Sequence, residues 1–194
     1  MLPSPFAEFS EWLALAGAHD GIKEPTAMSL ATADASGALS CRIVLLKAHD
    51  ERGFVFFTNL ESAKSRQLIA NPQAALCFYW MPLDRQIRIE GTIEAVSEQE
   101  ADAYFASRPR GSQIGAWASR QSRPLDSRAT LERALDELEH RYEGQPIPRP
   151  PHWSGWRLKP RRIEFWIQGD YRIHDRWDYQ LQTDGSWQRQ LLYP

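Results

Sequence analysis

Two cysteines among 194 residues leave no room for a disulfide framework. Cys41 and Cys77 form no C-x-x-C, have no histidine at metal-ligand spacing, and sit in apolar runs that read as strands. They are expected to be buried thiols in a reducing compartment. The opening Met1-Leu2-Pro3-Ser4-Pro5 lacks the basic and apolar stretches of a leader, and nowhere do 18 apolar residues run together. A soluble, cytoplasmic chain with no membrane partner is expected. An excess of one charge is also missing: 23 Lys and Arg stand against 25 Asp and Glu, for a net charge of −2. That excludes a globally basic nucleic-acid binder. None of the eleven glycines stands in G-x-G spacing, so dinucleotide and Walker-type phosphate loops are absent, as are G-x-S-x-G and H-E-x-x-H. The five histidines are scattered singly and suggest no metal site.

What is present suits one folded domain over residues 1–194: 42% apolar and 25% charged residues, in a chain long enough to bury a core without staples. Phe6, Phe9, Trp12, Leu13 and Ala16 recur at helical spacing after Ser4-Pro5, a cap followed by proline at the first helical position. Ala27–Ala33 and Ala38–Lys47 read as a hairpin around Asp34-Ala35-Ser36-Gly37, and a turn at His49–Gly53 leads into the strand Phe54–Thr58. Helices are predicted over Ser62–Ala70, Glu98–Ser107 and Arg128–Tyr142, and strands over Ala74–Trp80 and Gln86–Val96. Gln145–Pro151, with four prolines, is a stiff linker; Ile163–Ile167, Tyr171–Tyr179 and Trp187–Leu191 read as three closing strands. Strands in hairpin-linked clusters predict an antiparallel α+β barrel, not a doubly wound sheet.

The candidate chemistry lies in cations placed where apolar residues are expected. In Tyr171-Arg172-Ile173-His174-Asp175-Arg176-Trp177, a period of two puts Arg172, His174 and Arg176 on one strand face. Such a face is either the wall of an anion site or a solvated edge paired with carboxylates. Tyr104 and Arg108 are four residues apart at a helix end, and Pro109-Arg110-Gly111 turns the chain so that Ser112 comes back toward them. A guanidinium, a phenol and a hydroxyl make a phosphate cup, although a late-helix Arg also simply complements the dipole. Arg42 and Lys47 bracket an apolar strand, and Phe57-Thr58-Asn59 is followed by Ser62 and Lys64 at a helix start, a favourable place for phosphate. The alternative is charged strand ends reaching solvent.

In order along the chain, several stretches resemble the pyridoxamine/pyridoxine 5′-phosphate oxidase family: Glu24–Met28, Arg42–Lys47, Phe57–Leu60, Tyr104-Phe105, Ser107–Arg110, Ser112–Trp117, Gln121-Ser122, Ile163–Trp166 and Arg172–Arg176. The resemblance implies an antiparallel split β-barrel that dimerises, with two FMN molecules in clefts between the subunits and the C-terminal strands, about 153–194, completing the substrate site. The positions that match its FMN contacts are Arg42, Ile43, Val44, Leu45, Leu46, Lys47, Phe57, Thr58, Lys64, Gln86, Gln121, Ser122, Trp166 and Arg176. Those matching its contacts to a small phosphorylated pyridine are Lys47, Tyr104, Arg108, Ser112, Arg172 and His174, with Arg172 and His174 over the reacting carbon. The implied reaction is oxidation of pyridoxine or pyridoxamine 5′-phosphate to pyridoxal 5′-phosphate with dioxygen as acceptor, releasing hydrogen peroxide. The alternatives are a phenazine-type flavin oxidase of the same fold, or a flavin- or pyridoxal-phosphate-binding protein that does not turn over.

This chain departs from the family pattern in two places. No Arg precedes Arg42, so no counterpart is expected here for the N-terminal Arg and Tyr that family members often fold over the substrate, and Ala63 stands where an Arg commonly precedes the phosphate-binding Lys. Weaker FMN retention is expected from the second. Eight tryptophans and clustered aromatics exceed what one small barrel needs inside, which favours a homodimer.

Overall fold

Ser4 caps the first helix by accepting a hydrogen bond from the Ala7 N–H at 3.4 Å, and Pro5 opens it. Helix α1 (Pro5–Ala18) then buries Phe9, Trp12 and Ala16, spaced three and four residues apart. The structure, a computed structural model, describes residues 1–194.

Nine strands form one curled antiparallel sheet: β1 (Ala27–Ala33), β2 (Leu39–Leu45), β3 (Ala48–Asp50), β4 (Gly53–Asn59), β5 (Gln73–Trp80), β6 (Arg85–Ala95), β7 (Trp153–Ile167), β8 (Asp175–Leu181) and β9 (Trp187–Leu192). Their order is β2-β1-β5-β6-β7-β4-β3, with β8 added to β7 and β9 to β8. Helices α2 (Ala63–Ala70), α3 (Glu98–Ser107), α4 (Arg110–Ala118) and α5 (Arg128–Arg141) complete the five that flank it. This is the α+β split barrel that the sequence led us to expect. No helix is long and apolar enough to cross a membrane.

Strand β7 organises the molecule. Residues 153–158 pair with β4, 162–167 with β8, and everything from Trp156 to Ile167, across a bulge, with β6. The register slips at Glu90/Gly91, where a Cβ on Gly91 would lie 2.0 Å from the Lys159 carbonyl oxygen. Only glycine permits that approach, and the bulge bends both strands. The concave face closes on Leu30, Phe56, Phe78, Ile87, Leu158, Phe165 and Tyr179, with α1 plugging the core through Phe9 and Trp12. Each fully buried ring among these contributes about 1.5 to 3 kcal/mol. A second cluster, Phe105, Ile114, Tyr142, Ile147 and Trp153, roots α3, α4 and α5 at the start of β7.

Several expectations are corrected. Residues 110–118 are helix α4 rather than a turn, because Pro109 supplies the cap position and only Gly111 and Gly115 lower the propensity of the segment. Strand β7 begins at Trp153, ten residues before the predicted start, and His49-Asp50 belong to β3 rather than to a turn. Strand β2 ends at Leu45, short of Lys47. Strand β8 begins only at Asp175: Tyr171 and Arg172 lie in a tight 3-10 turn at φ +54° and +66°, so Arg172, His174 and Arg176 do not share a strand face. Cys41 is exposed on the outer face of β2 and Cys77 is half-buried, so neither is the core thiol expected.

Candidate active site

The N-terminus of α2, the C-terminal ends of β2 and α3, and the start of β7 surround a cleft of about 390 Å³. Arg42, Lys47, Phe57, Thr58, Lys64, Tyr104, Arg108 and Gln121 line it, with Ile43, Val44, Leu45 and Trp153. An adjoining hollow of about 360 Å³ shares Phe57, Thr58, Arg108, Gln121 and Trp153 and adds Ser112. Leu46 points away and lies in the core. A larger hollow, about 830 Å³, opens beneath the N-terminus, but it carries the carboxylates Glu51 and Glu94, and both its cations are in ion pairs, Arg52 with Glu100 and Lys159 with Glu94. Neither cation is left free for an anion.

The cleft differs in having four cations and no carboxylate. Arg42, Lys47, Lys64 and Arg108 make no ion pair, while Arg149, Arg157, Arg162 and Arg176 each hold at least one. Arg42 donates only to neutral groups: the Leu30 carbonyl at 3.1 Å, Thr32 Oγ1 at 2.6 Å and Gln67 Oε1 at 3.3 Å. Lys64 Nζ donates to Thr58 Oγ1 at 3.1 Å, Gln121 Oε1 at 3.1 Å and Ser62 Oγ at 3.3 Å. Burial pushes the Lys64 ammonium below its ordinary pKa, and the nearby Arg42 pushes it further; burial alone depresses Arg42. Two desolvated like charges side by side are costly unless an anion joins them. The α2 N-terminus supplies that place with N–H groups: Ser62 caps it, and Ser122, held at φ +69°, accepts from the Ala63 N–H at 3.2 Å.

Arg108 marks a second seat. Its guanidinium lies 4.8 Å from the Trp153 ring centre and 5.7 Å from that of Phe105, and its Nη1 is buried with no hydrogen-bond partner. Burial depresses its pKa as well. The rings of Phe57, Tyr104 and Trp153 stand nearly parallel, within 16°, with Phe57 and Tyr104 4.1 Å apart. Trp153 and Gln67 escaped the sequence reading. Trp153 lies ten residues ahead of the expected start of its strand, and Gln67 looks like any exposed helical glutamine.

Gln86, Trp166, Arg172, His174 and Arg176 line neither hollow. Gln86, Trp166 and Arg176 form one row across β6, β7 and β8, and His174 lies 4.6 Å from the Trp166 ring. Trp166 lies eleven residue steps along β7 from Gly155, which pairs with Phe57, a path of roughly 36 Å at about 3.3 Å per residue. Arg176 is gripped by the buried Glu164 at 2.9 and 3.1 Å and by the Tyr193 carbonyl at 3.0 Å, so the carboxylate-paired alternative holds for this residue. Arg172 is exposed and has no such partner. His174 Nδ1 accepts the Gly169 N–H at 3.2 Å, which leaves the proton of the neutral ring on Nε2. The candidate residues thus fall into two separate groups on one chain, one rich in unpaired cations and one built on β6, β7 and β8.

Two family comparisons cover most of the chain: residues 16–142 match "Pyridoxamine 5′-phosphate oxidase", and residues 153–194 match "Pyridoxine 5′-phosphate oxidase C-terminal dimerisation region". The chain belongs to the pyridoxamine/pyridoxine 5′-phosphate oxidase family. Curated relatives named pyridoxine/pyridoxamine 5′-phosphate oxidase include one from Rubrobacter xylanophilus, 56% identical over 99% of this chain and 88% of its own length. Another, from Myxococcus xanthus, is 54% identical over 99% and 92%. Among solved structures, PhzG from Burkholderia lata 383, in complex with tetrahydrophenazine-1-carboxylic acid, superposes with a TM-score of 0.93 at 33% identity, covering 100% of this chain and 94% of that one. A pyridoxamine 5′-phosphate oxidase-related, FMN-binding protein from Nostoc punctiforme has a TM-score of 0.79 at 17% identity over both full chains, a likeness of fold.

Membership makes the chain an oxidoreductase with FMN as cofactor, and the C-terminal match makes it a homodimer. The residues present fit that cofactor: a dianionic phosphate would join Arg42 and Lys64 without meeting a carboxylate. The dimerisation region also contains four of the five members of the second group: Trp166, Arg172, His174 and Arg176.

Proposed function

We propose that this oxidase converts pyridoxine 5′-phosphate and pyridoxamine 5′-phosphate to pyridoxal 5′-phosphate, with dioxygen as acceptor and hydrogen peroxide as product, in two clefts shared between the subunits. The observation that carries this reading is the pair of separate anion seats in one cleft, Arg42 with Lys64 and Arg108 with its orphan N–H. A phosphorylated cofactor and a phosphorylated substrate fill two seats; a substrate without phosphate leaves Arg108 buried and unpaired. The alcohol substrate loses two electrons and two protons to give the aldehyde, while dioxygen gains both. The amine follows the same balance to an imine, which water then hydrolyses with release of ammonia. Bound FMN supplies the two-electron acceptor and passes the electrons to dioxygen.

The chain's own residues supply binding and orientation. Lys64, Thr58, Gln121, Ser122 and the start of α2 hold the cofactor phosphate, and Ile43, Val44 and Leu45 wall the cleft beside it. Arg108, Tyr104 and Ser112 hold the substrate phosphate, and Lys47 lines the same cleft as Arg108 and Tyr104. Arg172 and His174 come from the partner subunit to the reacting carbon. With Nδ1 engaged by Gly169, His174 presents an Nε2–H donor, suited to orienting the substrate oxygen or nitrogen. The exposed outer face of β2, with Leu39, Cys41 and Ile43, gives a second copy an apolar surface to cover.

Purified protein loaded with FMN and given pyridoxine 5′-phosphate in air is expected to form aldehyde and peroxide one for one. Oxidation of a reduced phenazine carboxylic acid in preference to the phosphate would transfer the assignment to the PhzG-like reading. Absence of either product from a flavin-loaded dimer would leave only binding. Ala63 offers a graded check, since it opens α2 beside the phosphate seat with no charge of its own. Ala63→Arg is expected to tighten FMN by up to roughly fivefold, the effect of one added cation in a partly exposed setting. Fluorescence titration of flavin-free protein measures it, and unchanged affinity would move the phosphate away from α2.

A further inference from the structure

Arg42 owes its position to groups that leave its charge intact. Gln67, one helical turn after Lys64 on α2, accepts from Arg42 Nη2 at 3.3 Å and from the Thr32 hydroxyl at 2.6 Å through the same Oε1. That hydroxyl, 2% exposed, in turn accepts from Arg42 Nη1 at 2.6 Å. The amide nitrogen of Gln67 is engaged too, donating to Ser40 Oγ at 3.0 Å, so the side chain cannot swing away without losing three contacts. A carboxylate of the same length would grip the guanidinium more tightly and neutralise it. Elsewhere this chain does that repeatedly, with Glu164 on Arg176 and Asp178 on Arg162.

We propose that Gln67 is a positioning residue for the cofactor phosphate, fixing Arg42 opposite Lys64 while leaving both cations free to meet a dianion. This rests on the reading that Arg42 and Lys64 take the phosphate of FMN. Because Lys64 and Gln67 lie three residues apart on one helix, α2 itself sets the gap between the two cations. Gln67 also staples α2 to the β1–β2 hairpin through Ser40 and Thr32, and a purely structural role would end there.

Comparing FMN with riboflavin, which lacks the phosphate, separates the two roles. In flavin-free full-length dimer, Gln67→Glu is expected to weaken FMN roughly 10- to 100-fold, equivalent to about 1.4 to 2.8 kcal/mol. Riboflavin should bind within about twofold of its unaltered affinity, since only the phosphate feels the lost charge. Gln67→Met, which removes the grip without adding charge, should show a smaller loss confined to FMN, and it serves as the test if the Glu variant does not fold. Equal losses for FMN and riboflavin, or no loss for either, overturn the proposal. Arg42→Ala and Lys64→Ala are the reference: if these too fail to discriminate FMN from riboflavin, the phosphate seat itself is misplaced. If they discriminate and the Gln67 variants do not, only the role of Gln67 falls.

Discussion

Arg108→Ala is expected to raise KM for pyridoxine 5′-phosphate by roughly 30- to 1,000-fold while leaving kcat within a few-fold and FMN fully bound. The range corresponds to about 2 to 4 kcal/mol, the usual cost of truncating one partner of a buried charged hydrogen bond. Arg108 makes no contact with Arg42 or Lys64, and its own anchors are the Trp153 and Phe105 rings. In the protein without substrate its Nη1 is already orphaned, so removal takes away a buried unsatisfied donor and should cost little stability. The loss therefore falls on the substrate phosphate. Dephosphorylated pyridoxine provides the internal control, because the variant should handle it as well as the unaltered enzyme does. Release of flavin together with the rise in KM would show that Arg108 serves the cofactor, and the division into two anion seats would fail.

The features legible in the sequence were those with local causes. Ser4-Pro5 and the apolar spacing behind it marked α1, and Asp34–Gly37 marked the first hairpin, where Asp34 Oδ1 accepts from the Ser36 and Ala38 N–H groups and Gly37 sits at φ +88°. The unpaired cations of the first group were visible because each stood in or beside an apolar element. Partners set by tertiary register were hidden. Glu164 reaches Arg176 only because β7 and β8 pair antiparallel two residues out of step with that contact, and no spacing rule announces it. Alternation in Tyr171–Trp177 imitated a strand although Tyr171 and Arg172 adopt left-handed backbone that usually signals glycine or asparagine. Such strain in two adjacent residues, one of them an unpaired arginine, is the kind that function retains. The proposed division of the site between two chains has no signal in composition either, since both groups of residues lie on one polypeptide and only the length of β7 keeps them apart.

That division yields the sharpest expected result. Arg108→Ala disables the first half-site and an Arg172→Ala/His174→Ala double variant disables the second, where loss of groups at the reacting carbon should lower kcat by roughly 10²- to 10⁴-fold. Each homodimer alone should be nearly inactive at limiting substrate. When the two are dissociated, mixed in equal amounts and allowed to reassociate at random, half of the dimers are mixed. If each cleft takes one half from each chain, a mixed dimer has one cleft with both halves intact and one with both disabled, as two-fold symmetry requires. Activity should then recover to about a quarter of that of the unaltered enzyme, with the original KM, because half of the dimers each carry one of two clefts intact. Were both halves contributed by the same chain, every cleft in every dimer would carry a defect, and no mixing ratio would restore activity. Recovery with the unaltered KM can come only from a cleft that joins Arg108 of one protomer to Arg172 and His174 of its partner, so failure to recover after verified exchange of subunits would return both half-sites to a single chain.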